Sequence, residues 1–197
     1  MVASMVLALA PVHGRAAEPV AVDAHPLEVA VERDGSLLQV RASLRVAAPA
    51  ATCFAVLADY DRLETFIPDM VSSDVVSPPG QPIRLRQVGK AGVGPFQFTL
   101  DVTLAVTEHP PDRIDFDRVA GNLQQMRGGW VVAGDSTRCG ITYRADIEPA
   151  FWVPPLIGPK LMRDQVDAQL RGLATEILRR KGPAESTSGS DEPAGRP

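Results

Sequence analysis

The chain has 197 residues, 45% of them apolar and 22% charged, with a formal net charge of -4. That length supports one well-buried core and is short for two domains. The acidic balance, with arginines scattered along the chain and not gathered into a stripe, argues against nucleic acid as a partner.

Residues 1–17 hold an apolar run from Met5 to Ala10, then Pro11, then Gly14-Arg15-Ala16-Ala17. Small residues at the third and first positions before a cut after Ala16 are what signal peptidase requires, and the run is too short to span a bilayer. A signal peptide and a periplasmic or secreted protein are expected; a disordered leader on a cytoplasmic protein is the alternative. Residues 18–34 read as a connector, and residues 35–181 as the folded domain. The first strand is expected from Ser36 to Ala47, where Leu38, Val40, Ala42, Leu44 and Val46 alternate with other residues. Pro49 suits the first turn of a helix over Ala50–Leu57. Asp59 is placed to cap a second short helix, which Pro68 stops.

Further strands are expected near Met70–Val76, Ile83–Lys90, Pro95–Thr107, Arg113–Val119, Leu123–Ala133 and Cys139–Pro149. The breaks between them, such as Pro78-Pro79-Gly80, Gly92-Val93-Gly94 and Gly134-Asp135-Ser136, all carry turn chemistry. Gly92-Val93-Gly94 opens a strand and no helix, so it reads as a hairpin or a gate and not as a phosphate loop. Successive hairpins, with helices only after the first strand and at the end, predict an α+β fold with an antiparallel sheet of six to seven strands. The last helix carries Met162, Val166, Leu170, Leu173 and Ile177 as one apolar stripe. Residues 182–197, rich in Pro, Gly, Ser and acid, read as a disordered tail.

Such a sheet is about 30 Å wide at ~4.8 Å per strand, whereas a helix with its side chains is ~10 to 12 Å across. One helix cannot cover the dry face. The sheet must curl around it, be roofed elsewhere, or enclose a space that an apolar ligand fills.

The stretch Val56-Leu57-Ala58-Asp59-Tyr60-Asp61-Arg62-Leu63-Glu64-Thr65-Phe66-Ile67-Pro68 resembles the helical start of the polyketide cyclase/dehydrase and coenzyme Q-binding group of START-like (SRPBCC) proteins, where an Asp-Tyr pair precedes a Phe-aliphatic-Pro ending. Gly121-Asn122-Leu123-Gln124-Gln125-Met126-Arg127-Gly128-Gly129-Trp130 is similar to that group's strand leading to a tryptophan. The resemblance spans about Leu37 to Arg180. It implies the helix-grip fold, a curved sheet gripping one long helix around an apolar cavity. The function expected is non-enzymatic binding or transport of a hydrophobic small molecule: lipid, isoprenoid or quinone-like. The alternative is a cyclase or dehydratase acting on a polyketide-like or aromatic substrate in the same cavity.

Residue chemistry favours the carrier. His13, His25 and His109 have no metal-ligand spacing, and no Gly-x-Ser-x-Gly elbow occurs. No metal and no cofactor are expected. Asp115 and Asp117 alternate with Ile114 and Phe116 and so belong to the wet face. Tyr143, in phase with Ile141 and Ile147, is the residue that would serve as acid or orienting donor in an enzyme; Arg127 or Gln165 would join it if turned inward. The expected ligand-binding set is Phe66, Phe96, Phe98, Phe116, Met126, Trp130, Tyr143, Phe151, Trp152, Leu156, Leu161 and Gln165. Phe151-Trp152-Val153-Pro154-Pro155-Leu156 would place stiff apolar surface at the cavity mouth, where transient membrane contact is also expected. Cys53 and Cys139 fall in separate elements and read as two buried thiols, with one disulfide as the alternative.

Overall fold

The computed structural model describes residues 27–93, 96–153 and 157–181. The expected signal peptide, the Gly94-Pro95 turn, Leu156 and the expected tail lie outside the described residues. One antiparallel sheet holds eight strands: β1 (Leu27–Asp34), β2 (Leu37–Val46), β3 (Met70–Val75), β4 (Ile83–Val93), β5 (Phe96–His109), β6 (Arg113–Gly121), β7 (Leu123–Gly134) and β8 (Cys139–Pro149). Between β2 and β3 come α1 (Ala50–Leu57) and a 3₁₀-helix (Tyr60–Thr65), and α2 (Gly158–Lys181) closes the described chain.

The strand order is β1-β2-β8-β7-β6-β5-β4-β3. Short turns make neighbours of β3 through β8. The helical segment after β2 instead carries the chain across the sheet, so β2 pairs with β8 and β3 becomes an edge. Dry-face alternation runs as expected. Leu38, Val40, Ala42, Leu44 and Val46 of β2 are all buried, as are Val102, Leu104 and Val106 of β5. The opposite face carries cross-strand ion pairs, among them Arg127–Asp146 at 3.3 Å and Arg86–Asp101 at 2.7 Å.

Three expectations need correction. Leu27–Asp34, read as connector, is β1, which raises the sheet to eight strands. Its Leu27, Val29 and Val31 alternate with Glu28, Ala30 and Glu32, and the left-handed Gly35 (φ 60) turns it onto β2, pairing Asp34 with Leu37. The second helix is 3₁₀, and Asp59 makes no side-chain cap. Its carboxylate lies 2.6 Å from the Arg180 guanidinium of α2 instead.

The third concerns the cysteines, which form a Cys53–Cys139 disulfide with Cα atoms 6.8 Å apart. Val46 at the end of β2 is the register partner of Cys139 at the start of β8, and α1 folds back over that end of the sheet. Elements distant in sequence thus meet at one corner. The Ala50 N–H donates to the Asp135 carbonyl at 2.9 Å, pinning α1 to the β7–β8 turn.

The stripe on α2 sits as expected, with Val166, Leu170, Leu173 and Ile177 buried and Met162 half-buried. Gly172 lets the end of the 3₁₀-helix seat directly on α2: a Cβ there would lie 2.3 Å from the Phe66 carbonyl oxygen. The last turn of α2 completes the clamp. Buried Glu176 accepts hydrogen bonds from Arg179 (2.6 Å) and Arg180 (2.6 Å), and Arg180 lies 5.7 Å from the Phe66 ring centroid.

Candidate functional site

Between the concave sheet and α2 lies a cavity of about 250 Å³. Its outer wall is the inner face of β4 to β8, through Leu85, Val102, Leu104, Phe116, Trp130 and Tyr143. The opposite wall is the stripe of α2, extended by Leu161, Met162, Gln165 and Gln169. The α1–3₁₀ segment closes the remaining side with Leu57, Tyr60, Leu63 and Ile67. Strand curvature makes the hollow possible. Gly128 lies on the inner face between Met126 and Trp130, where a Cβ would stand 2.0 Å from the Arg144 carbonyl oxygen, so β7 and β8 approach each other more closely than a side chain allows.

The lining is apolar with a few polar groups. Trp130 and Tyr143 are register partners on β7 and β8, with ring centroids 4.2 Å apart, and the Phe116 ring of β6 stands 6.2 Å from that of Tyr143. Burial pushes the Tyr143 phenol well above its ordinary range, so it remains a neutral donor. No described residue offers its hydroxyl a hydrogen bond. Tyr60 differs: its hydroxyl donates to Glu108 Oε1 at 2.8 Å, and burial followed by that carboxylate drives its titration far upward. Glu108 follows Val102, Leu104 and Val106 in inner-face phase on β5.

The cavity reaches solvent beside Asp69 and Lys90, the charged residues in its lining, both exposed. Asp69 holds a left-handed backbone (φ 61), its carbonyl accepts from the Lys90 N–H at 2.8 Å, and its carboxylate accepts from Gln165 Nε2 at 3.4 Å. Phe98 and Phe151 stack with centroids 5.0 Å apart and an interplanar angle of 14°, bridging β5 to the segment after β8.

Of the expected set, Phe98, Phe116, Met126, Trp130, Tyr143, Phe151, Leu161 and Gln165 line this one cavity. Two do not. The Phe66 backbone seats against Gly172 of α2, and its ring lies under the Arg180 guanidinium outside the cavity lining. Trp152 is 73% exposed and borders a smaller recess, about 90 Å³, with Arg33 and Ser36. The Phe96 side chain and Leu156 lie outside the described residues. Arg127 points outward to Asp146. The α1–3₁₀ wall, Tyr60 above all, was not anticipated as part of the site. Tyr60 stands in the motif that carried the family resemblance, but in a 3₁₀-helix no four-residue stripe marks the inward face. Glu108 was missed because its strand was expected to end one residue earlier.

Among the described residues no helix is long and apolar enough to cross a membrane. Residues 46–174 match the model of the family described as polyketide cyclase/dehydrase and lipid transport. Solved structures repeat the fold. The protein TTHA0849 from Thermus thermophilus superposes with a TM-score of 0.63 at 20% identity, covering 73% of this chain and 99% of that one. The Zhui aromatase/cyclase from Streptomyces sp. R1128 gives 0.60 at 19% identity over 76% and 98% of the two chains. A STAR-related lipid transfer protein from Xanthomonas axonopodis gives 0.57 at 13% identity over 76% and 98%. Comparison with curated proteins gives no match.

Proposed function

Because the chain belongs to the polyketide cyclase/dehydrase and lipid transport family, we propose that it binds and carries a hydrophobic small molecule, lipid, isoprenoid or quinone-like, in the cavity between its sheet and α2. The observation that carries the reading is the hollow itself: about 250 Å³ with almost wholly apolar walls, opening to solvent at one charged rim. Transfer of an apolar ligand from water into such a space supplies ~25 cal/mol per Å². Burying about 300 Å² therefore gives roughly 7 to 8 kcal/mol before association costs. With association costs of about 4 kcal/mol subtracted, binding in the millimolar range follows. Trp152, 73% exposed beside the Phe151 rim, supports transient membrane contact during loading. The Cys53–Cys139 disulfide supports an oxidising compartment, the periplasm or outside the cell.

The test is organic extraction of the purified full chain followed by mass spectrometry. A stoichiometric apolar compound supports carriage; an empty protein that also refuses hydrophobic probes refutes it. One observation favours a second reading, a cyclase or dehydratase in the same cavity: a phenol and a carboxylate, Tyr60 and Glu108, lie within hydrogen-bond distance beside the hollow. Tyr143 would then act as orienting donor. Under that reading, material extracted from Glu108→Gln differs from wild-type material by a ring closure or a molecule of water. Identical extracts support the carrier.

A further inference from the structure

The Tyr143 hydroxyl is a polar group of the sheet's inner wall for which no described residue supplies a hydrogen-bond partner. The residue is 7% exposed, lines the cavity, and has the Trp130 and Phe116 rings, from the next two strands of the sheet, within 4.2 and 6.2 Å of its own. Buried tyrosines ordinarily find a partner for the O–H. Tyr60, the other phenol of the lining, has its partner in Glu108. Tyr143 has none among the described residues, and Thr142 and Arg144 beside it on β8 are placed by strand alternation on the opposite face.

Resting on the carrier reading, we propose that Tyr143 is the head-group site of this cavity: it donates a hydrogen bond to a neutral oxygen, a ketone or hydroxyl, on a compact ring-bearing ligand held against the aromatic wall of Phe116, Trp130 and Tyr143. Three observations shape that class. The volume of about 250 Å³ lies just under the usual range for drug-sized ligands, so the occupant is a molecule of one or two rings or a short chain and not a two-tailed lipid. The rings of Phe116, Trp130 and Tyr143 present flat faces to which planar ligands adapt. Charge at the head is disfavoured, because the charged lining residues, Asp69 and Lys90, stand exposed at the rim and a carboxylate beside Tyr143 would be buried unpaired. The Tyr143 O–H stays protonated through the physiological range, so it offers a donor and the ligand must bring the acceptor. A ligand oxygen there takes the place that a water can otherwise fill.

A matched series on one skeleton, tetralin, 1-tetralone and tetralin-1-carboxylate, tests this by calorimetric titration of the full chain delipidated beforehand. The ketone is expected to bind about five- to tenfold more tightly than the hydrocarbon, the yield of one net hydrogen bond, and the carboxylate less tightly than the ketone. In Tyr143→Phe the advantage of ketone over hydrocarbon disappears, and the thermal unfolding profile of the variant verifies that it is folded. A ketone advantage that survives in Tyr143→Phe, equal binding of ketone and hydrocarbon to the wild type, or a carboxylate that binds best overturns the head-group assignment and leaves the cavity reading intact. Failure of all three compounds to bind also overturns the head-group assignment, whereas the carrier reading falls only if organic extraction of the full chain likewise yields no apolar compound.

Discussion

The disulfide gives the sharpest quantitative test, because its contribution follows from its place in the chain. Cys53 and Cys139 are 86 residues apart, and closing a loop of that length removes entropy from the unfolded chain equivalent to about 4.6 kcal/mol at 25 °C. Residual structure in the unfolded chain lowers this, so roughly 3 to 4 kcal/mol is the expected loss in Cys53→Ala/Cys139→Ala. For a domain of this size that corresponds to a fall in Tm of about 10 °C. Alanine is the proper replacement, since both side chains are buried among apolar neighbours, at 0% and 3% exposure, and serine would add an unpaired hydroxyl. The assay is urea unfolding followed by far-UV circular dichroism on oxidised wild type, wild type reduced while unfolded, and the double variant. Reduced wild type and the double variant are expected to unfold at similar, lower urea concentrations. Coincidence of all three midpoints, or two titratable thiols in the unfolded oxidised protein, refutes the cross-link and removes the support it lends to an oxidising compartment.

Other expectations concern the clamp and the cavity. Gly172→Ala would stabilise an ordinary helix interior by about 1 kcal/mol, yet here the added Cβ meets the Phe66 carbonyl at 2.3 Å, so a net loss of about 1 to 3 kcal/mol in chemical unfolding is expected; a gain would show that the 3₁₀-helix is not seated on α2. Hydrogen bonds from Arg179 and then Arg180 hold the Glu176 carboxyl down at about 2 against an ordinary 4.5. A carboxyl depressed in the folded state adds stability that is fully present above about pH 4.5 and is lost as pH falls towards 2. Unfolding of Glu176→Gln measured from pH 6 to pH 2.5 should therefore have a flatter acid limb than wild type, and parallel limbs would show that the ion pair contributes nothing in solution. Trp130 lines the cavity while Trp152 is exposed. Adding 1-tetralone should alter tryptophan emission in Trp152→Phe and leave it unchanged in Trp130→Phe; the reverse pattern would place the ligand outside the hollow.

Much of this architecture could be read from local pattern. Alternation along Leu38–Val46 and Val102–Val106 identified the dry face, and the steps from Met162 to Ile177 identified the gripping stripe. The same rule would have found β1, where Leu27, Val29 and Val31 alternate as clearly. Glu28, Glu32 and Arg33 give the segment the look of a solvated connector, whereas an edge strand under a helix needs only one apolar face. Of the eight expected site residues that converge on the hollow, Phe98, Phe116, Met126, Trp130 and Tyr143 are placed there by strand phase, Leu161 and Gln165 by the face of α2, and Phe151 by its stacking on Phe98. Phe66 and Trp152 escaped that logic. Neither stands on a regular strand, so where their rings point is set by what packs against them.

Local chemistry thus settled the strands, their alternation, the turns and the amphipathic terminal helix, since each follows from side chains two, three or four positions apart. Tertiary structure alone decided that Cys53 and Cys139 share a corner, that Asp59 serves Arg180 and not its own helix, that Tyr60 meets Glu108, and that Tyr143 is left facing an open space. Those outcomes depend on strand order and on the fit of α2 into the curved sheet. Contacts between residues dozens of positions apart leave no periodic trace along the chain.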